Sequence, residues 1–262
     1  MRVLIHGVSG RMGREALAAV HRDPNHDVVG GVRRSATGNS FPLPDGSGAI
    51  PLHARAEAAI AANRPDVLLD FTSATVLMGA AREALTQGIH VVTGTTGLAE
   101  SDLQELDTLA REHEVGVVVA PNFALGAVLL IHLAATVGRF FEYAEVIEAH
   151  HEAKIDAPSG TALAIARALA AGRGTAFTRP APEREPVPGS RGAEVDGVGL
   201  HASRMPGRLA HHEVVLGTAG QTLTLRHDTI NRECYMPGVL AAIRQVVQYR
   251  GLVLGLDKIL GL

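Results

Sequence analysis

Short apolar runs alternate with amphipathic stretches along the first half of the chain. The runs RVLIHG, HDVVGGV, DVLLDF, IHVVTG and VGVVVA are rich in valine, isoleucine and leucine and have the length of strands buried on both faces. Between the first two, RMGREALAAVHR places Met12, Ala16, Leu17 and Val20 on one face of a helix. Strands that alternate with helices predict an α/β fold, a Rossmann-like doubly wound parallel sheet.

Two local signals refine this first half. A stretch rich in glycine, proline and serine, residues 35–51, predicts a loop after the second strand. Ser101 and Gln104 have the spacing of a capping box for the helix SDLQELDTLAREH. We therefore expect one long connection and one helix capped by Ser101.

The pattern changes after residue 121. A long apolar helix, ALGAVLLIHLAATVGRFF, precedes the strand AEVIEAHH and a helix that begins near Ser159. VGLHASRM, HHEVVLGT and QTLTLRHDT then predict antiparallel strands, the last two joined at Ala219 and Gly220. The helix MPGVLAAIRQVVQY is expected to return to the first sheet, because such a sheet needs cover on both faces. The predicted domains are 1–121 with 236–262 for dinucleotide binding, and 122–235, an α+β domain with a mostly antiparallel sheet.

Composition narrows the function classes. The 262 residues carry a formal net charge of -3, which argues against nucleic acid as the main partner. Cys234 is the only cysteine, which excludes an intrachain disulfide and fits a reducing, cytoplasmic compartment. No apolar run has the length of a membrane span, and the strand-like N-terminus predicts no signal peptide.

A glycine-rich turn follows the first predicted strand. HGVSGRMG spaces Gly7, Gly10 and Gly13 as G-x-x-G-x-x-G, where the usual dinucleotide fingerprint is G-x-G-x-x-G. Glycines let a backbone approach a pyrophosphate, and the following helix offers free N–H groups to it. The pattern alone also fits a tight strand–helix turn, but its place after the first strand of an α/β run favours a dinucleotide.

An arginine pair stands where that fingerprint usually has an acidic residue. The second strand ends in GGVRRSATG, and Arg33 and Arg34 replace the carboxylate that binds the ribose hydroxyls of NADH. Guanidinium groups suit a 2′-phosphate, which indicates NADP. The alternative is a solvated arginine pair with no ligand.

The stretch EAHHEAKIDAPSGTA, residues 148–162, combines titratable, cationic and helix-capping residues. One interpretation is an exposed polar loop. A second is a metal site of His150, His151 and Asp156, with His211 and His212 as further ligands. Adjacent histidines on a strand point in opposite directions, however, and no metal-binding motif supports this site.

A third interpretation is an anion site with a proton donor. Ser159 can cap a helix whose free N–H groups at Gly160 and Thr161 bind a carboxylate. Lys154 adds a fixed positive charge, and a histidine can supply a proton near neutral pH. This combination predicts a site for a small acidic substrate.

The same stretch resembles the signature of the bacterial dihydrodipicolinate reductase family. Similar matches extend along the chain: GVSGRMG resembles the family's cofactor loop and DFT at 70–72 its strand-end motif, while GTTG at 94–97 and APNFALG at 120–126 resemble its nicotinamide-side and hinge segments. The resemblance implies reduction of a cyclic unsaturated dicarboxylate to tetrahydrodipicolinate by NADH or NADPH, in the diaminopimelate route to lysine. It also implies a homotetramer built through the sheet of the second domain.

The resemblance assigns roles residue by residue. His150 matches the proton donor and Lys154 the catalytic, substrate-holding lysine. Positions that match substrate-carboxylate contacts are His151, Ser159, Gly160 and Thr161. Positions that match cofactor contacts are Gly7, Val8, Ser9, Gly10, Arg11, Met12, Gly94, Thr95, Thr96, Ala120, Pro121, Asn122 and Phe123. Some family members carry Glu-Arg where this chain has Arg33-Arg34, so we expect NADPH to be preferred, with NADH possible.

Three other functions follow from other interpretations of the same residues. A non-catalytic NADP-binding sensor would keep the fold and leave the histidine and lysine idle. A metal-dependent hydrolase would act at the histidines, and no metal is expected. A thiol-dependent aldehyde dehydrogenase would use Cys234, which lies in no nucleophile motif.

Overall fold

The structure is a computed structural model that describes residues 1–35 and 38–262, so Ala36 and Thr37 of the predicted loop lie outside the described residues. Contacts within the chain divide it into two units, Met1–Ala124 with Tyr235–Leu262, and Leu125–Cys234. Each unit has its own sheet and its own buried apolar core.

The elements follow in chain order. The first unit begins with β1 (Arg2–His6), α1 (Arg11–Arg22), β2 (Asp27–Val32), β3 (Ser40–Pro42), β4 (Ala49–His53), α2 (Ala56–Asn63), β5 (Val67–Asp70), α3 (Ala74–Thr86), β6 (His90–Thr93), α4 (Glu100–Glu112) and β7 (Gly116–Val119). The second unit contains α5 (Leu125–Gly138), β8 (Tyr143–His150), α6 (Gly160–Arg173), β9 (Ala193–Val195), β10 (Val198–Arg204), β11 (Ala210–Thr218) and β12 (Gln221–Thr229). A 3-10 helix (Arg232–Tyr235) then leads to α7 (Met236–Val246), β13 (Gly251–Leu254) and α8 (Leu256–Leu260).

The sheet of the first unit has the order β13-β7-β6-β5-β1-β2-β4-β3. Its pairings are parallel except that of β3 with β4. The central strands are buried on both faces, as Val3, Leu4 and Ile5 illustrate with 0% exposure. The predicted α/β class is therefore confirmed, and the loops after β1, β2, β5, β6 and β7 begin at one edge of the sheet.

Three strands of this sheet were not predicted. The segment 35–51, expected to be a loop, contains β3 and the start of β4. β3 is a short edge strand whose one buried side chain is Phe41, so it has no run of apolar residues to mark it. At the other edge, β13 follows α7 and extends the sheet next to β7.

The second unit has a mixed sheet in the order β12-β11-β8-β10-β9. β11 and β12 form the predicted hairpin, and Gly220 in its two-residue turn has φ +76°. The prediction that β10 is antiparallel holds for its pairing with the short β9 but is wrong for its pairing with β8, which is parallel. The chain leaves β8, crosses through α6 and returns in the same direction, which is what a parallel pair requires.

Two helix starts test the predicted caps. α6 begins after Ser159, whose hydroxyl accepts a hydrogen bond from the Ala162 N–H at 3.1 Å, as expected. α4 begins earlier than predicted: the carboxylate of Asp102 accepts the Ala99 N–H at 2.8 Å, so Ser101 is not the cap. Within the described ranges, no helix combines the length and apolar character that a bilayer crossing requires.

Candidate active site

The glycine turn between β1 and α1 is built by close backbone contacts. Gly7 has φ +83°, and a Cβ there would lie 2.8 Å from the carbonyl oxygen of Phe71. A Cβ on Gly13 would lie 2.1 Å from the carbonyl oxygen of Gly7, so α1 packs against the turn only because both residues are glycine. Gly10 is the N-cap of α1 and has no side chain, which leaves the first turn of the helix open to an anion.

A cleft of about 500 Å³ lies over this turn. Both the predicted glycine turn and the predicted arginine pair line this cleft. The lining residues are His6, Gly7, Ser9, Gly10, Val32, Arg33, Arg34, Ser35, Phe71, Thr72, Ser73 and Val76. No acidic side chain is among these residues of the described chain. The cleft therefore combines a backbone cradle with two cations.

A buried carboxylate holds the sheet edge beside the cleft. Asp70 has 0% exposure and accepts hydrogen bonds from the hydroxyls of Thr72 at 2.8 Å and Thr95 at 2.6 Å, while His6 Nδ1 lies 2.8 Å away. Burial opposes its charge, but His6 and the threonine hydroxyls outweigh that effect and lower the pKa of Asp70. Asp70 thus ties the end of β1 to the loops that follow β5 and β6.

The other predicted cofactor segments follow neighbouring strands. Gly94–Thr96 comes after β6 and Ala120–Phe123 after β7. A Cβ on Gly94 would lie 2.6 Å from the Phe71 ring, and Phe71 meets Phe123 edge to face at 6.1 Å. Several predicted contact residues have buried side chains, so they can offer only backbone atoms to a ligand: Val8, Thr95, Ala120 and Phe123.

In the second unit, Glu148 and His150 lie on the covered face of β8. Their side chains are 1% and 10% exposed, and His150 Nδ1 is 2.6 Å from Glu148 Oε2. Arg204, on β10, adds a two-pronged ion pair to the same carboxylate, with both N–O distances at 2.8 Å. Sequence reasoning included Glu148 in the stretch but gave it no role, and it missed Arg204.

The N-terminus of α6 completes this cluster. The N–H of Ser159 donates to Glu148 Oε1 at 2.9 Å, and its hydroxyl lies 3.2 Å from His212 Nε2 while capping the helix. Ser159 is 2% exposed and both its donors face protein atoms, so it shapes the site from within. Gly160 and Thr161 present their N–H groups at the helix end, and neither has a hydrogen bond to any described residue.

Lys154 and His151 lie in the loop between β8 and α6. Lys154 Nζ is 2.6 Å from Asp156 Oδ1, and its side chain is 23% exposed against 51% for Asp156. Such a half-exposed ion pair is worth at most about 1 kcal/mol, so an anionic ligand can replace Asp156 at little cost. His151 is half-buried.

The surroundings of His150 and His212 in this cluster disfavour the charged form of each ring. Burial lowers the pKa of His150, against the opposing effect of Glu148, and Lys154 and Arg204 lower it further. Burial and the neighbouring His150 lower the pKa of His212 to about 4. Their rings meet edge to face at 5.3 Å, which is ring packing. Across the described ranges, no group of three or more His, Cys, Asp or Glu side chains is arranged to hold a metal.

Comparison with known proteins bears on both units. Two family models match: "Dihydrodipicolinate reductase, N-terminus" over residues 1–123 and "Dihydrodipicolinate reductase, C-terminus" over residues 126–260. The 4-hydroxy-tetrahydrodipicolinate reductase of Dehalococcoides mccartyi is 48% identical, over 100% of this chain and 99% of the relative. That of Moorella thermoacetica is 44% identical, over 99% of this chain and 98% of the relative.

A solved structure supports the same family. Dihydrodipicolinate reductase from Paenisporosarcina sp. TG-14, with dipicolinate bound, is 37% identical, covers 98% of both chains and gives a TM-score of 0.89. The matches span both units at identities that exceed fold-level likeness. The chain therefore belongs to the dihydrodipicolinate reductase family.

Proposed function

We propose that this chain reduces 4-hydroxy-tetrahydrodipicolinate to tetrahydrodipicolinate with NAD(P)H, in the diaminopimelate route to lysine. The observation that carries the proposal is that Glu148 binds both His150 and the α6 N-terminus, with Lys154 in the loop that connects β8 to α6. It offers a proton donor, a cation and two free N–H groups within one unit of a chain from this family. The dipicolinate in the 37% identical reductase supports a small cyclic dicarboxylate as the ligand class.

The first unit has the residues to hold a dinucleotide. The open N–H groups at the start of α1 suit a pyrophosphate, and Arg33 and Arg34 line the same cleft as the glycine turn. When bound, NAD(P)H would supply the hydride. The roles of Gly7–Met12, Gly94–Thr96 and Ala120–Phe123 in binding it remain part of this proposal.

The second unit would bind the dicarboxylate and supply the proton. One carboxylate of the substrate would be bound by Lys154 Nζ and the other by the N–H groups of Gly160 and Thr161. His150 would deliver a proton from Nε2, because its Nδ1 is already engaged by Glu148. His151 would contribute a second polar contact, while Ser159 would act by fixing the helix end.

NADPH is the proposed preferred cofactor, with NADH used less well. Arg33 and Arg34 line the cleft at the end of β2, in a lining set that offers no carboxylate among the described residues to the ribose of NADH. A charge-assisted contact to a 2′-phosphate is worth roughly 1.5–3 kcal/mol, or about tenfold to hundredfold in affinity.

We also propose that the enzyme is cytoplasmic and that it assembles into a homotetramer through the sheet of the second unit. α5 and α6 cover one face of this sheet, while Tyr143 and Ile147 are 41% and 43% exposed on the other. Exposed apolar side chains on an open sheet face mark it as a candidate interface. Light scattering should give four times the chain mass, and Ile147→Asp should lower that mass.

A coupled assay tests the proposed activity. The condensation product of pyruvate and aspartate semialdehyde would be supplied, and loss of NADPH would be followed by its absorbance. Turnover that resists a chelator is the expected result. Tight NADPH binding without oxidation would instead support the sensor, and loss of activity restored by zinc would support a metal enzyme.

A further inference from the structure

We propose that Glu148 is the residue that positions the proton donor, by fixing which nitrogen of His150 carries the exchangeable proton. The inference rests on the proposed function and adds a residue to it. Glu148 would touch neither substrate nor cofactor. It would act through His150 on one side and through the α6 N-terminus on the other.

The geometry assigns every contact of this carboxylate to a donor. Oε2 receives His150 Nδ1 at 2.6 Å and an Arg204 nitrogen at 2.8 Å. Oε1 receives the Ser159 N–H at 2.9 Å and the second Arg204 nitrogen at 2.8 Å. Arg204 and the backbone N–H can only donate, so a carboxylate that accepts on both oxygens is the one group that satisfies all of them.

The charge of Glu148 is stabilised although the side chain is 1% exposed. Burial opposes that charge, but Arg204, then His150 and the Ser159 N–H outweigh it and lower the pKa of the Glu148 carboxyl. An ionised carboxylate cannot donate, so the hydrogen between the two side chains belongs to His150 Nδ1. Neutral His150 is thus held as the Nδ1–H tautomer, and Nε2 is the atom that gains and gives the catalytic proton.

Arg204 has a separate consequence for the pair. A lone buried carboxylate would strongly favour a permanent proton on His150, which would make it a poor donor. The guanidinium neutralises Glu148 and itself lowers the pKa of His150. Four charged or titratable groups face His150: Glu148, Lys154, Arg204 and His212. Their effects on the pKa of His150 partly cancel.

Glu148→Gln is the discriminating variant. An amide nitrogen in place of Oε1 would meet two groups that can only donate, Ser159 N–H and Arg204. At the Oε2 position the amide nitrogen would meet only one such group, the other Arg204 nitrogen. The amide therefore turns its nitrogen to that position, where His150 can adapt by becoming the Nε2–H tautomer and accepting at Nδ1. The variant thus keeps size and fold but reverses the tautomer.

The matched control is Glu145→Gln. Glu145 lies on the same strand and also binds a histidine and an arginine, His201 at 2.8 Å and Arg191 at 3.2 Å, but on the other face of β8. It has no contact with His150 among the described residues. The control therefore removes the same charge and the same kinds of partner without changing the tautomer of the proton donor. Because Glu145 shares the open face of β8 with Ile147, the control counts only where its mass by light scattering equals that of the wild type.

Two measurements decide the proposal. In kinetics, Glu148→Gln should lower kcat by roughly 10–100-fold, as loss of an orienting partner does at other sites. It should also shift the pH at which kcat declines. The NADPH affinity of this variant and the kcat of Glu145→Gln should stay within about twofold of wild type. In ¹⁵N NMR, His150 should be Nδ1–H in the wild type and Nε2–H in the variant.

Unchanged kcat in a folded Glu148→Gln protein would overturn the proposal. So would an Nε2–H tautomer of His150 in the wild type, a result that needs no variant to fold. A lower kcat with an unchanged tautomer and pH profile would reduce Glu148 to a structural role and also overturn it. Failure of the proposed function would appear differently, as no wild-type turnover alongside the expected NMR signals.

Discussion

Replacement of Lys154 by alanine separates substrate binding from cofactor binding. Lys154 lies in the second unit, while the glycine turn and the cleft over it lie in the first. Its ammonium contacts Asp156 at 2.6 Å and is 23% exposed, so it is ready to bind a substrate carboxylate. Lys154→Ala removes that cation and leaves the α6 N–H groups in place.

The magnitude follows from the charged hydrogen bond that the substitution removes. A hydrogen bond to a charged group contributes roughly 1.5–3 kcal/mol, or about tenfold to hundredfold in kcat/KM. This is a lower bound, because the same cation would stabilise negative charge that develops in the transition state. The free energy of unfolding should change by less than about 1 kcal/mol, since the Lys154–Asp156 pair is half exposed.

The assay measures kcat/KM for the dicarboxylate and the dissociation constant for NADPH in the same preparation. Lys258→Ala is the control, because Lys258 is the other lysine of the chain and also pairs with a neighbouring aspartate, at 3.8 Å in α8. We expect loss of turnover with unchanged NADPH affinity in the first variant and wild-type behaviour in the second. Wild-type kcat/KM at low substrate in Lys154→Ala would refute the assignment.

Three further variants test other parts of the protein. His150→Gln should lower kcat by roughly 10²–10⁴-fold and KM much less, because glutamine cannot deliver a proton; a change confined to KM would make His151 the better candidate. Arg33→Ala with Arg34→Ala should weaken NADPH and leave NADH nearly unchanged in calorimetry; equal wild-type dissociation constants for both would contradict the proposed preference. His212 is neutral in the fold with its pKa lowered to about 4, so only the unfolded chain gains its proton between about pH 6.5 and pH 4. Stability is therefore lost as pH falls, by up to roughly 3 kcal/mol, and His212→Gln should flatten this fall in urea unfolding.

Most of the first sheet could be predicted from local pattern, because strands buried on both faces leave long apolar runs. β3 left none, since a short edge strand with one buried side chain looks like a loop. The start of α4 was missed for a similar reason. Asp102 caps it from inside the helix, and Ala99 at the N-cap position gives no signal of its own.

In the candidate site, sequence reasoning identified the residues that are close together in the chain and missed those that pairing brings in. His150, Lys154 and Ser159 lie within a few residues of each other, so their association needed no tertiary information. Arg204 reaches Glu148 because β10 pairs in parallel with β8, in a register that sets Arg204 opposite His150. Antiparallel pairing, as predicted, would reverse the direction of β10, and no local pattern could supply the correct register.

The charges around His150 imply that the substrate itself adjusts the proton donor. Burial, then Lys154 and Arg204, lower the pKa of His150 against the opposing effect of Glu148, while His212 packs against it as a neutral ring. A bound dicarboxylate would neutralise Lys154 and bring further negative charge, which raises the pKa of His150 toward the protonated form that a donor needs.

An acid loses activity as pH rises through its pKa. The kcat/KM profile reports free His150 and kcat reports His150 in the complex, so kcat should persist to higher pH than kcat/KM. In Lys154→Met the limbs of kcat and kcat/KM for the residual activity should lie closer together, because the substrate then has no Lys154 charge to neutralise. Coincident limbs in the wild type would mean that the bound substrate does not alter the protonation of His150, which would refute this reasoning.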